Sequence, residues 1–99
     1  SRKHNTNRDG GAWTPEQKSA VWQKGTEVSG YSKDVVRKDI CGKLMNWSEH
    51  GNRNSTNGWE VDHIKPVSSG GGDEINNLQP LNWDNNAKKG DTLNWRCGQ

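Results

Sequence analysis

Ninety-nine residues make one small domain, with no room for a second core. Only 26% of them are hydrophobic and the mean hydropathy is -1.26, so the chain buries little and must build its core from a few large side chains. Charged residues are 26% of the chain and the net charge is +2; this excludes a chain held open by charge repulsion, leaves net charge as weak evidence for nucleic acid, and goes with the absence of any apolar run of membrane-spanning length.

Residues 1–11, SRKHNTNRDGG, read as a flexible polar tail, in which Arg2, Lys3, His4 and Arg8 are a solvated terminus in reach of phosphate. TPEQKSAVWQKG predicts a helix. Thr14 is its N-cap, Pro15 its first position, Gln17 the partner in a capping box, and Gly25 its stop. Gly30 and Tyr31 read as a turn, Asp34 to Lys38 as either a helical turn or a strand start, and DICGKLMNW as two short extended pieces around Gly42. GNRNSTNG is a loop by composition. WEVDHI then alternates, with Trp59, Val61 and His63 on one face and Glu60, Asp62 and Ile64 on the other. SSGGGD must be a loop, NLQPL is short and extended with Pro80 at an edge, and NWDNNAKKG is a helix capped by Asn82 and ended by Gly90. Six tryptophans and no phenylalanine supply the apolar bulk.

Two cysteines, Cys41 and Cys97, stand far apart and outside any C-x-x-C pair, which speaks against a structural zinc. The basic N-terminus lacks the apolar stretch of a secretory signal, so a cytoplasmic location in a bacterial or phage-encoded protein is expected. A single disulfide is disfavoured in such a reducing compartment.

The chemistry concentrates between Glu60 and Asp91. Hydrolysis of a phosphodiester needs a deprotonated water, a held phosphate and a stabilised leaving oxygen. His63 is a candidate base, since an imidazole titrates near neutrality. Asp62 is a candidate ligand for a hard cation, and Asn86 can add an amide oxygen. Asn77 can hydrogen-bond an imidazole nitrogen or nearby backbone and fix the ring. In a regular strand Asp62 and His63 point to opposite faces, so the strand must end or twist there for both to reach one phosphate. Taken singly, each asparagine reads equally as a cap or turn residue.

The joint spacing goes further. EVDHIKPVSSGGGDEINNLQPL and NNAKKGD together resemble the HNH nuclease family with its ββα-metal fold: a D-H pair on a strand, a glycine-bearing loop, an N-L-Q segment, and a helix with the last motif residue followed by K-G. His63 to Asn77 is fourteen residues and Asn77 to Asn86 is nine, as in that pattern, and the resemblance covers the later part of the chain. It implies an α+β fold, with two short antiparallel strands and a helix around one divalent metal; with the N-terminal helix read from the residues, a nuclease domain is expected over 12–99. It implies that Asp62 and Asn86 bind the metal, that His63 is the general base and that Asn77 orients it, an H-N-N variant. Lys89 matches a family lysine assigned to phosphate. Where many relatives carry cysteines for a structural zinc, this chain has Asn82 and Asn85, so zinc is not expected, and Trp59, Trp83 and Trp95 are expected to supply packing. The amide ligand suits Mg²⁺ or Mn²⁺. His50 lacks a partner at motif spacing and reads as surface.

Lys65, Lys88, Lys89 and Arg53 are the expected phosphate contacts on DNA, double-stranded by preference, giving salt-dependent and largely sequence-neutral binding. One site nicks one strand; cutting both needs a homodimer, a second visit or a partner. Two rivals stay open from sequence: a non-catalytic nucleic-acid-binding module of the same ββα shape, and a small interaction domain whose asparagines are only caps.

Overall fold

Helix α1 spans Pro15–Trp22, and its start follows the sequence closely. Thr14 Oγ1 accepts from the Gln17 backbone N–H, and Gln17 Oε1 accepts from the Thr14 N–H. Two donors that a helix start leaves unpaired are thereby satisfied, while Pro15 sits where a missing N–H is harmless. The computed structural model describes residues 3–99; the Arg2 contact considered above lies outside them.

Strands β1 (Thr26–Glu27), β2 (Val36–Lys38) and β3 (Leu44–Asn46) form an antiparallel sheet in that order. The segment that sequence left open, 34–38, is a turn that runs into β2. The backbone N–H groups of Val35 and Val36 both donate to Ser32 O, after which the chain extends. Of the two extended pieces expected around Gly42, the later one is β3, whereas Ile40 and Cys41 are turn and the earlier strand, β2, ends before them at Lys38. Gly42 turns at φ +83°, a conformation that only glycine takes cheaply. Arg37 is 7% exposed; its guanidinium donates to the carbonyls of Lys33 and Gly25, fastening the end of α1 to the sheet rather than reaching a ligand.

Strands β4 (Trp59–His63) and β5 (Leu78–Asn82) pair antiparallel in register from Trp59 opposite Asn82 to His63 opposite Leu78. Helix α2 (Trp83–Lys89) follows at once. Asn82 caps it, its Oδ1 accepting from Asp84 N–H, and Gly90 ends it at φ 51°, as the sequence implied. Pro80 is accommodated because, among the described residues, this sheet has two strands and β5 a partner on one side alone. The α+β architecture, with a ββα core and an N-terminal helix, is borne out; the three-stranded sheet is added to it.

The core is aromatic. Trp13, Val21, Trp22, Met45, Trp59, Val61 and Leu78 are buried together, with Trp47 packed against them. Trp59 is fully enclosed, its ring centroid 5.0 Å from that of Trp22 and 5.8 Å from that of Trp47. Large side chains thus compensate for the scarcity of apolar residues. Of the three tryptophans expected to supply packing, Trp59 is central. Trp83 instead donates its indole N–H to Ser55 O, holding the 52–58 loop, and Trp95 lies half-buried in the C-terminal segment.

Two links tie the β2–β3 hairpin to the rest. Asp39, 2% exposed, accepts from Cys41 N–H and Lys43 N–H through Oδ1, and from Asn82 N–H and Asn85 Nδ2 through Oδ2. Four donors offset the desolvation of its charge and join the β2–β3 hairpin to the start of α2. The two asparagines at the expected cysteine places therefore grip a buried carboxylate. The second link corrects the sequence reading: Cys41 and Cys97 form a disulfide. The turn at Gly42 and the C-terminal turns bring their Cα atoms to 5.5 Å, within bonding reach.

Candidate active site

The site is built where β4 ends. Beyond His63 the chain must leave the ribbon, loop out and return to β5. Ile64 N–H still donates to Asn77 O, and then the Asn77 side chain takes over. Its Oδ1 accepts from Lys65 N–H at 2.8 Å, while its Nδ2 donates to Lys65 O and Gly72 O. Both feet of the loop are thereby clamped to one amide. Gly71 is obligatory there, because a Cβ would lie 1.8 Å from Lys65 O. Of the two uses that sequence allowed Asn77, the structure shows the backbone one.

On the face of β4 toward α2 stand Glu60 and Asp62. Asp62 is 6% exposed; Gln79, directly across the ribbon, donates Nε2 to its Oδ2 at 2.9 Å, and Lys89 Nζ is 3.2 Å from its Oδ1. Burial pushes the Asp62 carboxyl above its ordinary range, opposed by Gln79 and Lys89. Lys89 also donates to His63 O at 2.9 Å and is 3% exposed. This corrects the expectation that Lys89 touches phosphate: its ammonium is enclosed within the motif as the counter-charge of Asp62.

Glu60 is fully buried. Arg53 donates Nε and Nη2 to its two oxygens, and Asn86 Nδ2 donates to Oε1 at 2.7 Å. Burial works to raise its pKa, but the Arg53 and Asn86 hydrogen bonds and the Arg53 charge prevail and hold it below the usual carboxylate range. An ionised carboxylate only accepts. The amide of Asn86 must therefore turn its nitrogen to Glu60 and its oxygen away.

His63 occupies the other face. Its ring lies 5.4 Å from that of Trp13 and its Nε2 is 2.8 Å from Asp73 Oδ1. The obstacle of opposite faces is met by position. β4 stops at His63, and a cleft of about 310 Å³ at its end and outer edge is lined by Asp62, His63 and Asn86 together. Residues 3–6, from the segment read as a tail, line it too. Asn5 Oδ1 accepts from Val61 N–H on the outer edge of β4, and the His4 imidazole is 3.5 Å from Glu60.

The other expected phosphate contacts are scattered. Arg53 lines the cleft, bound to Glu60; Lys65 is exposed on the loop; Lys88 is exposed on α2 and pairs with Asp84 at 3.1 Å. His50 departs from its surface reading. It is half-buried with its ring 4.7 Å from Trp59 and Nε2 3.2 Å from Asn5 Oδ1. Burial, aided by the charge of Lys18 and opposed by Glu60, takes its pKa down to about 4.

Among the described residues no three His, Cys, Asp or Glu side chains are grouped to hold a metal ion. The donors that do meet in the cleft suit a hard cation. Each Asp62 oxygen accepts one hydrogen bond and retains a lone pair, and the Asn86 oxygen is turned away from Glu60. Sequence reasoning assigned no role to Glu60, although alternation already put it on the Asp62 face, and did not single out Asp73, for which no local pattern exists.

Among the described residues no helix is long and apolar enough to cross a membrane. The family model described as HNH endonuclease matches residues 39–92, more than half of the chain, from the β2–β3 turn to just beyond α2. No curated protein and no solved structure matches the chain.

Proposed function

Because the chain belongs to the HNH endonuclease family, we propose that it hydrolyses phosphodiester bonds of DNA with His63 as the general base and with Asp62 and Asn86 as the holders of one Mg²⁺ or Mn²⁺. The single observation that carries this reading is the convergence of Asp62, His63 and Asn86 on one cleft, from two faces of a strand and a helix.

When bound, the cation supplies charge stabilisation at the phosphate and the leaving oxygen. The residues supply the rest. Asp62 is kept in place by Gln79 and Lys89, and Asn86 by Glu60. His63 takes a proton from water as the water oxygen bonds to phosphorus and the bond to the leaving sugar oxygen breaks; that oxygen then takes a proton from solvent. Asn77 fixes the loop whose start aims His63. Lys65 and Lys88, exposed on the loop and on α2, are the residues for backbone phosphates, with Arg53 at the cleft. Such contacts favour salt-dependent binding of double-stranded DNA with weak sequence preference, and one site yields nicks.

The test is a supercoiled plasmid incubated with the purified protein. Nicked circles with Mg²⁺ or Mn²⁺ and none with excess EDTA are expected. DNA binding without nicking under every metal condition would instead identify a non-catalytic module of the same shape.

A further inference from the structure

His63 has a partner that the motif does not name. Its Nε2 lies 2.8 Å from Asp73 Oδ1, and Asp73 is itself held. The backbone N–H of Arg8 donates to both carboxylate oxygens, at 3.0 and 3.2 Å, and the neighbouring Gly72 carbonyl accepts from Asn77 Nδ2 at 2.9 Å. The ring has little freedom to turn, being 6% exposed and packed on Trp13. Arg8 and Trp13 both precede the family-matched region.

We propose that Asp73 is a positioning residue for His63: its carboxylate, oriented by the Arg8 backbone and by the Asn77-clamped loop, accepts from Nε2–H and leaves Nδ1 as the nitrogen that takes the proton from water. A neutral imidazole has one donor and one acceptor nitrogen. A carboxylate 2.8 Å from Nε2 selects the tautomer with hydrogen there, as orienting partners do for other working histidines. Asn77 then acts on the base along a path, through Gly72 to Asp73 and from Asp73 to the ring. The segment before the motif completes the site by fixing the far side of Asp73.

For its effect on rate, this inference rests on the nuclease reading; for the tautomer it does not. Two measurements keep them apart. Long-range proton–nitrogen NMR correlations of the His63 ring in the metal-free protein at alkaline pH should show hydrogen on Nε2, and should show a mixed or reversed tautomer in Asp73→Ala. In plasmid nicking, Asp73→Ala should lower kcat roughly 10- to 100-fold with KM changed by less than about twofold, and Asp73→Asn, which keeps an acceptor oxygen, should recover part of the loss. Hydrogen on Nδ1 in the parent protein overturns the proposal, as does an unchanged kcat or a loss confined to KM. If Asp73→Ala fails to fold, the parent tautomer and the kcat of Asp73→Asn decide alone. A parent protein that nicks nothing refutes the nuclease reading, while the tautomer still answers for Asp73.

Discussion

The two faces of β4 are built from opposite materials. One carries Trp59 and Val61 into the tryptophan core and ends in His63, packed on Trp13. The other carries Glu60 and Asp62, both buried, into a set of hydrogen bonds with Arg53, Asn86, Gln79 and Lys89. A five-residue strand thus separates an imidazole packed on Trp13 and bonded to Asp73 from carboxylates held by polar and charged partners, and lets them meet only at its end. The apolar face should therefore govern stability everywhere except at His63, and the polar face should govern activity with smaller effects on folding.

The largest expected effect breaks that division at its exception. His63→Ala should lower nicking by roughly 10²- to 10⁴-fold while DNA binding persists; plasmid assays beside filter binding check both. Further along the same face, Trp59→Ala should cost about 3–5 kcal/mol of stability, because the side chain is fully enclosed; chemical denaturation measures it. On the opposite face, Glu60→Gln should lower nicking roughly 10- to 100-fold. Glutamine cannot accept from Arg53 and from Asn86 as the carboxylate does, so the amide oxygen of Asn86 is no longer fixed; saturating the assay with metal should recover part of the rate.

The smallest effect sharpens the boundary of the core. His50 has its folded pKa at about 4, below the ordinary histidine value of 6.5, so the unfolded chain binds its proton more readily. Its contribution to stability is therefore present above the unfolded value and is lost as pH falls from that value toward the folded one. Glu60, held below the usual range, loses its contribution only at lower pH still. Between about pH 7 and pH 5 the parent should lose about 1–2 kcal/mol more than His50→Gln, a figure discounted for partial exposure. Denaturation at the two pH values checks the difference.

How much of this could be read from the chain depends on the range of the forces involved. Capping of α1 by Thr14 and Gln17, the end of α2 at Gly90 and the alternation along β4 rest on neighbours a few residues apart, and all were legible. Asp62, His63 and Asn86 were singled out because their spacing matches a pattern, and all three line one cleft. Lys89 was misread because spacing does not reveal which side of a helix is enclosed, and its burial follows from β4 packing beneath α2. His50 was misread for a similar reason, since Trp59 and Asn5 reach it from other segments. Asp73 and the Cys41–Cys97 bond depend on how a loop and two distant turns are folded back, which no local pattern records. Glu60 lay between these cases: its face was readable, its partners were not.

The most direct measurement of the central claim is paramagnetic broadening by Mn²⁺ of the NMR signals of the Asn86 side-chain amide and the His63 ring. Stoichiometric Mn²⁺ should broaden both in the parent protein, should still broaden Asn86 in His63→Ala, and should lose that effect in Asp62→Ala. Broadening in Asp62→Ala equal to that of the parent, or none at Asn86 in the parent, would contradict a shared cation site at the end of β4.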